Sequence, residues 1–198
     1  RRCEPSVEDV KKFLGKARSL YIFRNSSSNF WKKLLALLES YDLKILWEIG
    51  LDACSFKNRN EIIELLKFVN GFSLNLEEAK LIFNTKNEDK IIQTLQNVTK
   101  EIVFLRAGIR GSYVITREKI HFIPSINVEL VDDTGAGNAY SGAVLIGMAE
   151  GLSPEICGAM GTISSSETIK QFGPPNIGNI VLREKTQENL KQLISRIN

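Results

Sequence analysis

The stretch that decides the fold is VDDTGAGNAYSGA, residues 131–143. It joins the end of a strand pattern to the first turn of a buried helix, and three small residues, Gly135, Ala136 and Gly137, occupy the junction. Small side chains at a helix start leave the first backbone N–H groups uncovered, where the helix dipole is positive. The sequence therefore predicts an anion-binding turn, suited to a phosphate or to the charge that develops during phosphoryl transfer.

Two common glycine motifs do not fit this turn. A P-loop, GxxxxGK[ST], requires a lysine after its last glycine, and none follows Gly137. A dinucleotide fingerprint, GxGxxG, would need glycine at Tyr140, and it would lie on an early strand rather than two-thirds along the chain. A glycine-rich helix start that binds no ligand stays open as an alternative.

Strand and helix patterns alternate along the rest of the chain. After a capping box at residues 6–9, helices are predicted over 29–41, 60–68, 76–83, 88–98, 138–149, 154–169 and 186–197. Strands are predicted over 20–23, 43–49, 71–74, 102–105, 112–116, 119–124 and 128–131, with a hairpin joining 112–116 to 119–124. This alternation predicts one α/β domain over residues 1–198, with a mostly parallel sheet and helices on both faces.

Composition excludes several classes of protein. The chain has 198 residues, 43% of them hydrophobic and 25% charged, which is typical of a globular protein and not of a disordered or collagen-like chain. The net charge is +3 and no run of five like charges occurs, so we expect no nucleic-acid partner. Three cysteines without a CxxC pair, and a single histidine, provide no ordinary zinc ligand set.

The location predicted from the sequence is the cytoplasm. The most apolar stretch, residues 139–149, is far shorter than the ~20 residues that span a membrane, so we expect no membrane partner. Charged residues interrupt any signal-peptide pattern at the start of the chain, and free thiols at Cys3, Cys54 and Cys157 suit a reducing compartment.

Three further motifs accompany the glycine turn. Asn75 and Glu78 form an Asn-x-x-Glu spacing after a strand pattern, RAGIRG at residues 106–111 follows another strand pattern, and KQFG at 170–173 follows a helix pattern. Each has a simpler interpretation. Asn75 and Glu78 are also what a helix N-cap with a first-turn acid requires, and Arg106 is equally interpreted as a surface salt-bridge partner.

In this order and spacing, the four motifs resemble the ribokinase (pfkB) family of carbohydrate kinases. That family's signature runs Asp-Thr-x-Gly-Ala-Gly-Asp, followed after three residues by two small ones, and the resemblance covers residues 20–175. It implies a ribokinase-like α/β fold. It also implies that the N-terminal half, which in the family supplies the lid and most sugar-binding residues, is absent from these residues.

The resemblance implies a role for each motif. Gly135, Ala136 and Gly137 would form the anion hole, and Asn75 and Glu78 would hold Mg²⁺ through water. The residues that would bind the nucleotide are Arg106, Gly108, Gly111, Thr162, Lys170, Phe172 and Gly173. The implied reaction transfers the γ-phosphoryl group of ATP to a hydroxyl of a sugar, nucleoside or similar small molecule. The implied partners are that acceptor and a second copy, bound as a homodimer through the absent lid.

The departures from the family pattern concern catalysis. Asn138 stands where the family carries its catalytic Asp, Asp133 where Thr is usual, and Thr162 where many members carry Asn. An amide cannot accept the proton of an acceptor hydroxyl, so two hypotheses stay open. One is a slowed kinase in which Asn138 orients the hydroxyl, because phosphoryl transfer depends mainly on positioning and electrostatics. The other is a catalytically impaired pseudokinase that serves as a nucleotide-binding or protein-interaction module.

Overall fold

The strands lie in the sheet in the same order as in the chain. The computed structural model describes residues 6–26, 29–38, 40–176 and 178–197. The strands in these ranges are β1 (Ser19–Phe23), β2 (Lys44–Glu48), β3 (Gly71–Asn75), β4 (Ile102–Arg106), β5 (Gly111–Thr116) and β6 (Ile120–Pro124). They form one six-stranded sheet in which β1 to β4 are parallel and β4, β5 and β6 are antiparallel. The prediction of a mostly parallel sheet is confirmed.

Helices make the crossovers between the parallel strands and then close the chain. They are α1 (Val7–Leu14), α2 (Asn29–Leu38), α3 (Arg59–Leu65), α4 (Leu76–Phe83), α5 (Glu88–Val98), α6 (Ala136–Ala149), α7 (Pro154–Thr168) and α8 (Ile180–Ile197). In the described ranges, every helix is too short or too polar for a membrane span.

Successive residues of the strands face two separate cores. On β2, Trp47 packs into a core with α1 to α5, whereas its neighbour Leu46 packs into a second core with α6, α7 and α8. Because side chains of a strand alternate between the two faces of a sheet, an unbroken apolar run such as 45–47 indicates burial on both faces. Helices therefore cover both faces, as predicted.

Some predicted elements are corrected by the structure. The strand predicted over 128–131 is wrong, because the N–H groups of Val131 and Asp132 donate to the carbonyl of Ile169, at 2.8 and 3.2 Å, and not to a neighbouring strand. The helix predicted over 186–197 begins earlier, at Ile180, after a turn in which Asn179 accepts from the backbone of Leu182. The helix predicted over 29–41 ends at Leu38.

Two of the three cysteines belong to the cores. Cys54 and Cys157 are free and buried, and burial raises the pKa of the Cys54 thiol to about 12 and that of Cys157 to about 11. Cys3 and residue 39 lie outside the described residues.

Helix α6 lies over the β1 and β2 side of the sheet and packs against α7. Close packing with α7 requires glycine at residue 161, where a Cβ atom would lie 2.8 Å from the ring of Tyr140. That ring is buried, and its hydroxyl donates to Ser112 at 2.9 Å, so it has little freedom to move. By contrast, a Cβ atom at Gly142 on α6 would meet open space.

These two helical glycines give a matched test of the packing. We expect Gly142→Ala to raise the free energy of unfolding by about 0.5–1 kcal/mol, because alanine is the better helix former. We expect Gly161→Ala to lower it by about 1–3 kcal/mol, because the added methyl group overlaps the Tyr140 ring. Urea unfolding followed by circular dichroism measures both, and equal effects of the two substitutions would contradict the described packing.

Candidate functional site

Charged and polar residues end three neighbouring parallel strands. Glu48, Asn75 and Arg106 are the last residues of β2, β3 and β4. The carboxyl ends of parallel strands meet at one edge of the sheet, which is where open α/β sheets bind their ligands. The three side chains therefore belong to one region of the molecule.

Helix α6 starts beside this edge with the predicted turn. Gly135 is the N-cap residue, in the left-handed conformation at φ +84°, and no side chain caps the helix. The N–H of Ala136 donates to Asp133 at 3.1 Å, and that of Ala139 begins the helix by donating to Gly135 at 2.9 Å. The N–H groups of Gly137 and Asn138, which lie between them, belong to the first turn that has no intrahelical acceptor.

The side chain of Arg106 contacts the start of α6. A Cβ atom on Gly137 would lie 2.5 Å from Arg106 Nη1, so only glycine leaves room for the guanidinium at this place. Arg106 Nη2 forms an ion pair with Glu48 Oε1 at 2.6 Å, and the two side chains are only 13% and 6% exposed. Arg106 is thus an ion-pair partner, but a buried one beneath the turn and not a surface one.

Both carboxylate oxygens of Glu48 have bonding partners. Its Oε2 accepts hydrogen bonds from the hydroxyls of Tyr21 and Ser141, each at 2.7 Å. Because Ser141 donates its only proton to Glu48, the 2.9 Å bond between Ser73 and Ser141 has Ser73 as its donor. One carboxylate therefore connects strands β1, β3 and β4 and helix α6 to the end of β2.

Sequence reasoning missed Glu48 as a site residue. The available signal was the same as for Arg106, a charged residue that directly follows an apolar strand run. That signal is weak on its own, because charged residues at strand ends are commonly exposed.

Asn75 and Glu78 form a capping box at the start of α4. The Asn75 side chain accepts from the N–H of Glu78 at 2.9 Å, and Glu78 Oε2 accepts from the N–H of Asn75 at 2.7 Å. The helix-cap interpretation of these two residues is therefore confirmed. Glu78 is also buried, and its Oε2 lies 3.9 Å from Arg106 Nη2, so it belongs to the same charged cluster.

Burial raises the pKa of the Glu78 carboxyl above its ordinary value. The Asn75 N–H and the Arg106 charge oppose this rise, whereas the Glu48 charge adds to it. Glu78 Oε1 accepts no hydrogen bond from the described residues, so one oxygen of this carboxyl group is left for a ligand or for water.

A large cavity opens beside the start of α6. Its volume is about 960 Å³, and it lies between α6, α7 and α8, with Thr134 and Gly135 at one end. Its walls are mostly apolar and include Ala139, Ile163 and Leu190. A flat apolar group in this cavity would place a negatively charged substituent within reach of the α6 turn.

The KQFG motif follows α7 at the edge of this cavity. Gly173 lines the cavity, Lys170 forms an ion pair with the cavity-lining Glu167, and the Phe172 side chain is 81% exposed. Thr162 is buried within α7 and is not among the residues that line the cavity.

The other two predicted glycines shape the turn between β4 and β5. Gly108 and Gly111 both have positive φ, and a Cβ atom at Gly111 would lie 2.1 Å from the backbone oxygen of Ile123. Arg110 in the same turn forms an ion pair with Glu88 of α5 at 2.8 Å. Neither glycine lines the cavity. Their positive φ values give both of them a role in the backbone turn.

The raised pKa of Glu78 predicts a pH-dependent loss of stability. In the unfolded chain the Glu78 carboxyl group loses its proton near pH 4.5, whereas in the folded chain it keeps the proton to a higher pH. The contribution of Glu78 to the free energy of unfolding is therefore full below pH 4.5 and falls as the pH rises through the folded pKa. In Glu78→Gln the amide oxygen can still accept from the Asn75 N–H, but the titration is lost. We expect the variant to gain stability relative to the unmodified protein between pH 4 and pH 8, measured by urea unfolding.

Glu77→Gln is the matched control, since Glu77 lies on the same helical turn but is exposed beside Lys80. The pH dependence of Glu77→Gln should follow that of the unmodified protein. Parallel curves for Glu78→Gln and the unmodified protein would contradict the assigned environment of Glu78.

Comparison with known proteins agrees with this geometry. The chain is 29% identical over 135 residues to a ribokinase of Lactococcus lactis. The aligned region covers 68% of this chain and 43% of the relative. The chain is 27% identical over 136 residues to a nucleoside kinase of Methanocaldococcus jannaschii, with 68% and 43% covered. The solved adenosine kinase of Sinorhizobium meliloti superposes with a TM-score of 0.78 at 21% identity, over 93% of this chain and 58% of that one.

The chain therefore spans less than half the length of these two curated relatives. A model of the pfkB family carbohydrate kinases matches residues 4–178, which is most of the chain. Together with the parallel sheet and the glycine turn at the start of α6, this match shows that the chain belongs to the pfkB family of carbohydrate kinases.

Proposed function

We propose that this protein transfers the γ-phosphoryl group of MgATP to a hydroxyl group of a sugar, a nucleoside or a similar small molecule. The observation that carries the proposal is that the uncapped turn of α6 lies between the carboxyl edge of the sheet and the 960 Å³ cavity. The cavity would take the nucleoside part of the nucleotide, and the turn would take its phosphates. The names of the relatives, a ribokinase and a nucleoside kinase, support this class of acceptor.

The residues of the turn would stabilise the charge of the transferred group. The N–H groups of Gly137 and Asn138 have no intrahelical acceptor, and they lie at the positive end of the α6 dipole. Phosphoryl transfer has a loose transition state, so such fixed donors supply most of what a protein can contribute. The predicted nucleotide-binding residues Gly108, Gly111 and Thr162 do not line the cavity. They would support the nucleotide site indirectly, by shaping the β4–β5 turn and helix α7.

The Glu78 environment fits an indirect role toward Mg²⁺. Mg²⁺ keeps several waters and is usually held through one or two carboxylates and the substrate phosphates. Glu78 offers one carboxylate with a free oxygen, and Asn75 fixes that carboxylate through the capping box. Bound Mg²⁺ would neutralise part of the phosphate charge.

A homodimer formed through the family's lid and a cytoplasmic location stay predictions.

Asn138 determines how fast such a reaction can be. The acceptor oxygen bonds to the γ-phosphorus as the bond from that phosphorus to ADP breaks, and the hydroxyl proton must leave. Asn138 is exposed at the third position of α6, where its amide can orient the hydroxyl but cannot take the proton. A missing general base costs about 10²–10⁴-fold in rate, so a slowed kinase is consistent with this residue.

Nucleotide binding should depend on the space at Gly137. In Gly137→Ala the new methyl group must displace the guanidinium of Arg106, which lies 2.5 Å from its position. We expect the affinity for MgATP, measured by calorimetry, to fall at least about tenfold, the worth of a lost charge-assisted hydrogen bond. Gly142→Ala, in the open part of the same helix, is the control and should bind as the unmodified protein does. No heat with the unmodified protein at millimolar nucleotide would refute nucleotide binding.

Asn138→Asp distinguishes a slowed kinase from a binding module. The two side chains are nearly isosteric, so the substitution adds a base and one negative charge without a change in packing. For a slowed kinase, turnover should rise by about 10²–10⁴-fold, measured as steady-state phosphorylation across a panel of sugars and nucleosides. For a pseudokinase, the added charge should weaken MgATP binding without any turnover. A loss of measurable activity in Asn138→Asp would contradict the assignment of Asn138 as a replaced base.

A further inference from the structure

We propose that Glu48 is the positioning residue of the phosphate site, because its carboxylate holds the Arg106 guanidinium against the first turn of α6 as a second donor for the same phosphate. This inference rests on the proposed function, since it concerns the nucleotide phosphates that the turn would bind. It assigns Glu48 a role, and it explains why a buried ion pair lies beneath an uncapped helix start.

Arg106 reaches α6 at its first turn. Cα–Cβ bonds of a helix tilt toward its N-terminus, so an atom at the Cβ position of Gly137 lies on the N-terminal side of that residue. Arg106 Nη1 is within 2.5 Å of this position. It therefore lies beside the first turn of α6, which carries the N–H groups that have no intrahelical acceptor.

The Nη1 group of Arg106 is available for a ligand. The ion pairs of Arg106 with Glu48 and Glu78 both use Nη2, and among the described residues Nη1 has no hydrogen-bond acceptor. An arginine nitrogen beside helix N–H groups is an arrangement that binds phosphate well, because both present donors to the phosphate oxygens.

Within the described ranges, only Glu48 fixes the guanidinium there. Its contact is 2.6 Å, whereas Glu78 is 3.9 Å away, and the buried Nε of Arg106 has no partner among the described residues. Glu48 is itself held by Tyr21 and Ser141. Without the Glu48 carboxylate, the described residues leave only the 3.9 Å contact with Glu78 to hold Arg106 beside the helix start.

The experiment compares ligands with and without phosphates. Calorimetry measures the affinities of MgATP and of adenosine for the unmodified protein and for Glu48→Gln. We expect Glu48→Gln to lower the ratio of the MgATP affinity to the adenosine affinity by at least about tenfold, because only phosphate contacts are lost. Arg106→Lys, which keeps a positive charge, should lower this ratio less than Arg106→Met. A residue with only a structural role would change both affinities together.

Two further variants keep the test decisive. Glu150→Gln is the matched control, because it breaks an exposed ion pair, 3.0 Å long, between Glu150 at the other end of α6 and Arg18. The ratio of the MgATP affinity to the adenosine affinity should be the same in Glu150→Gln as in the unmodified protein. If Glu48→Gln does not fold, the double variant Glu48→Gln/Arg106→Met replaces it, since it removes both charges of the Glu48–Arg106 pair and leaves neither of these two ions buried without its partner. The double variant should show the same loss of the ratio.

The outcomes separate this inference from the proposed function. If the unmodified protein binds neither MgATP nor adenosine, the proposed function fails and the inference fails with it. If the unmodified protein binds MgATP and the ratio is unchanged in Glu48→Gln or in the double variant, the positioning role of Glu48 is overturned and nucleotide binding stands.

Discussion

The carboxylate of Glu48 connects more elements of this protein than any other described side chain at the sheet edge. It ends β2, pairs with Arg106 at the end of β4, and accepts hydrogen bonds from the hydroxyls of Tyr21 on β1 and Ser141 on α6. Through Ser141 it also reaches Ser73 on β3. The start of α6, and with it the glycine turn, is therefore fixed by one buried anion and its donors.

Such an arrangement is costly and needs full hydrogen bonding. Taking two charges out of water costs several kcal/mol per ion, and removal of one partner from a buried pair typically costs about 3–5 kcal/mol. Glu48 meets this cost with a cation and two hydroxyl donors, whereas Arg106 keeps a buried Nε without a partner. Polar satisfaction is thus complete at the carboxylate and incomplete at the guanidinium. Another nitrogen of the same guanidinium, Nη1, lies beside the turn, 2.5 Å from the Cβ position of Gly137.

The sequence predicts the parts of this structure that local patterns control. The helices at Leu76–Phe83 and Glu88–Val98 agree residue for residue with prediction, because Asn75 and Asn87 cap them through contacts three residues away. The glycine turn at Gly135 is likewise a local feature. The strand predicted over 128–131 fails because its backbone bonds to Ile169, a partner far along the chain that no local pattern reveals.

The site shows the same division between local and distant information. The capping box of Asn75 and Glu78 is contained in four residues and can be predicted from them. The pairing of Glu48 with Arg106 cannot, since β3 separates their strands in the sheet and either residue could equally face solvent. The two interpretations of Arg106 left open by the sequence are a nucleotide-phosphate ligand and a surface salt-bridge partner. The structure shows an ion-pair partner that is largely buried, and no local pattern reveals that burial.

The charges around the turn also give Asn138 a physical meaning beyond the loss of a base. Glu48 and Glu78 already share the single guanidinium of Arg106, and Asp133 adds an exposed carboxylate just before the turn. A carboxylate at residue 138 would be one more negative charge at the place where the nucleotide phosphates would bind. Two unit charges 4 Å apart interact by about 1 kcal/mol in water and about 4 kcal/mol near a protein surface, so this repulsion would be comparable with the benefit of a general base. In the proposed site, the amide of Asn138 would give up proton acceptance and would repel the nucleotide less than a carboxylate, and the balance between these two effects would decide between a slowed kinase and a binding module.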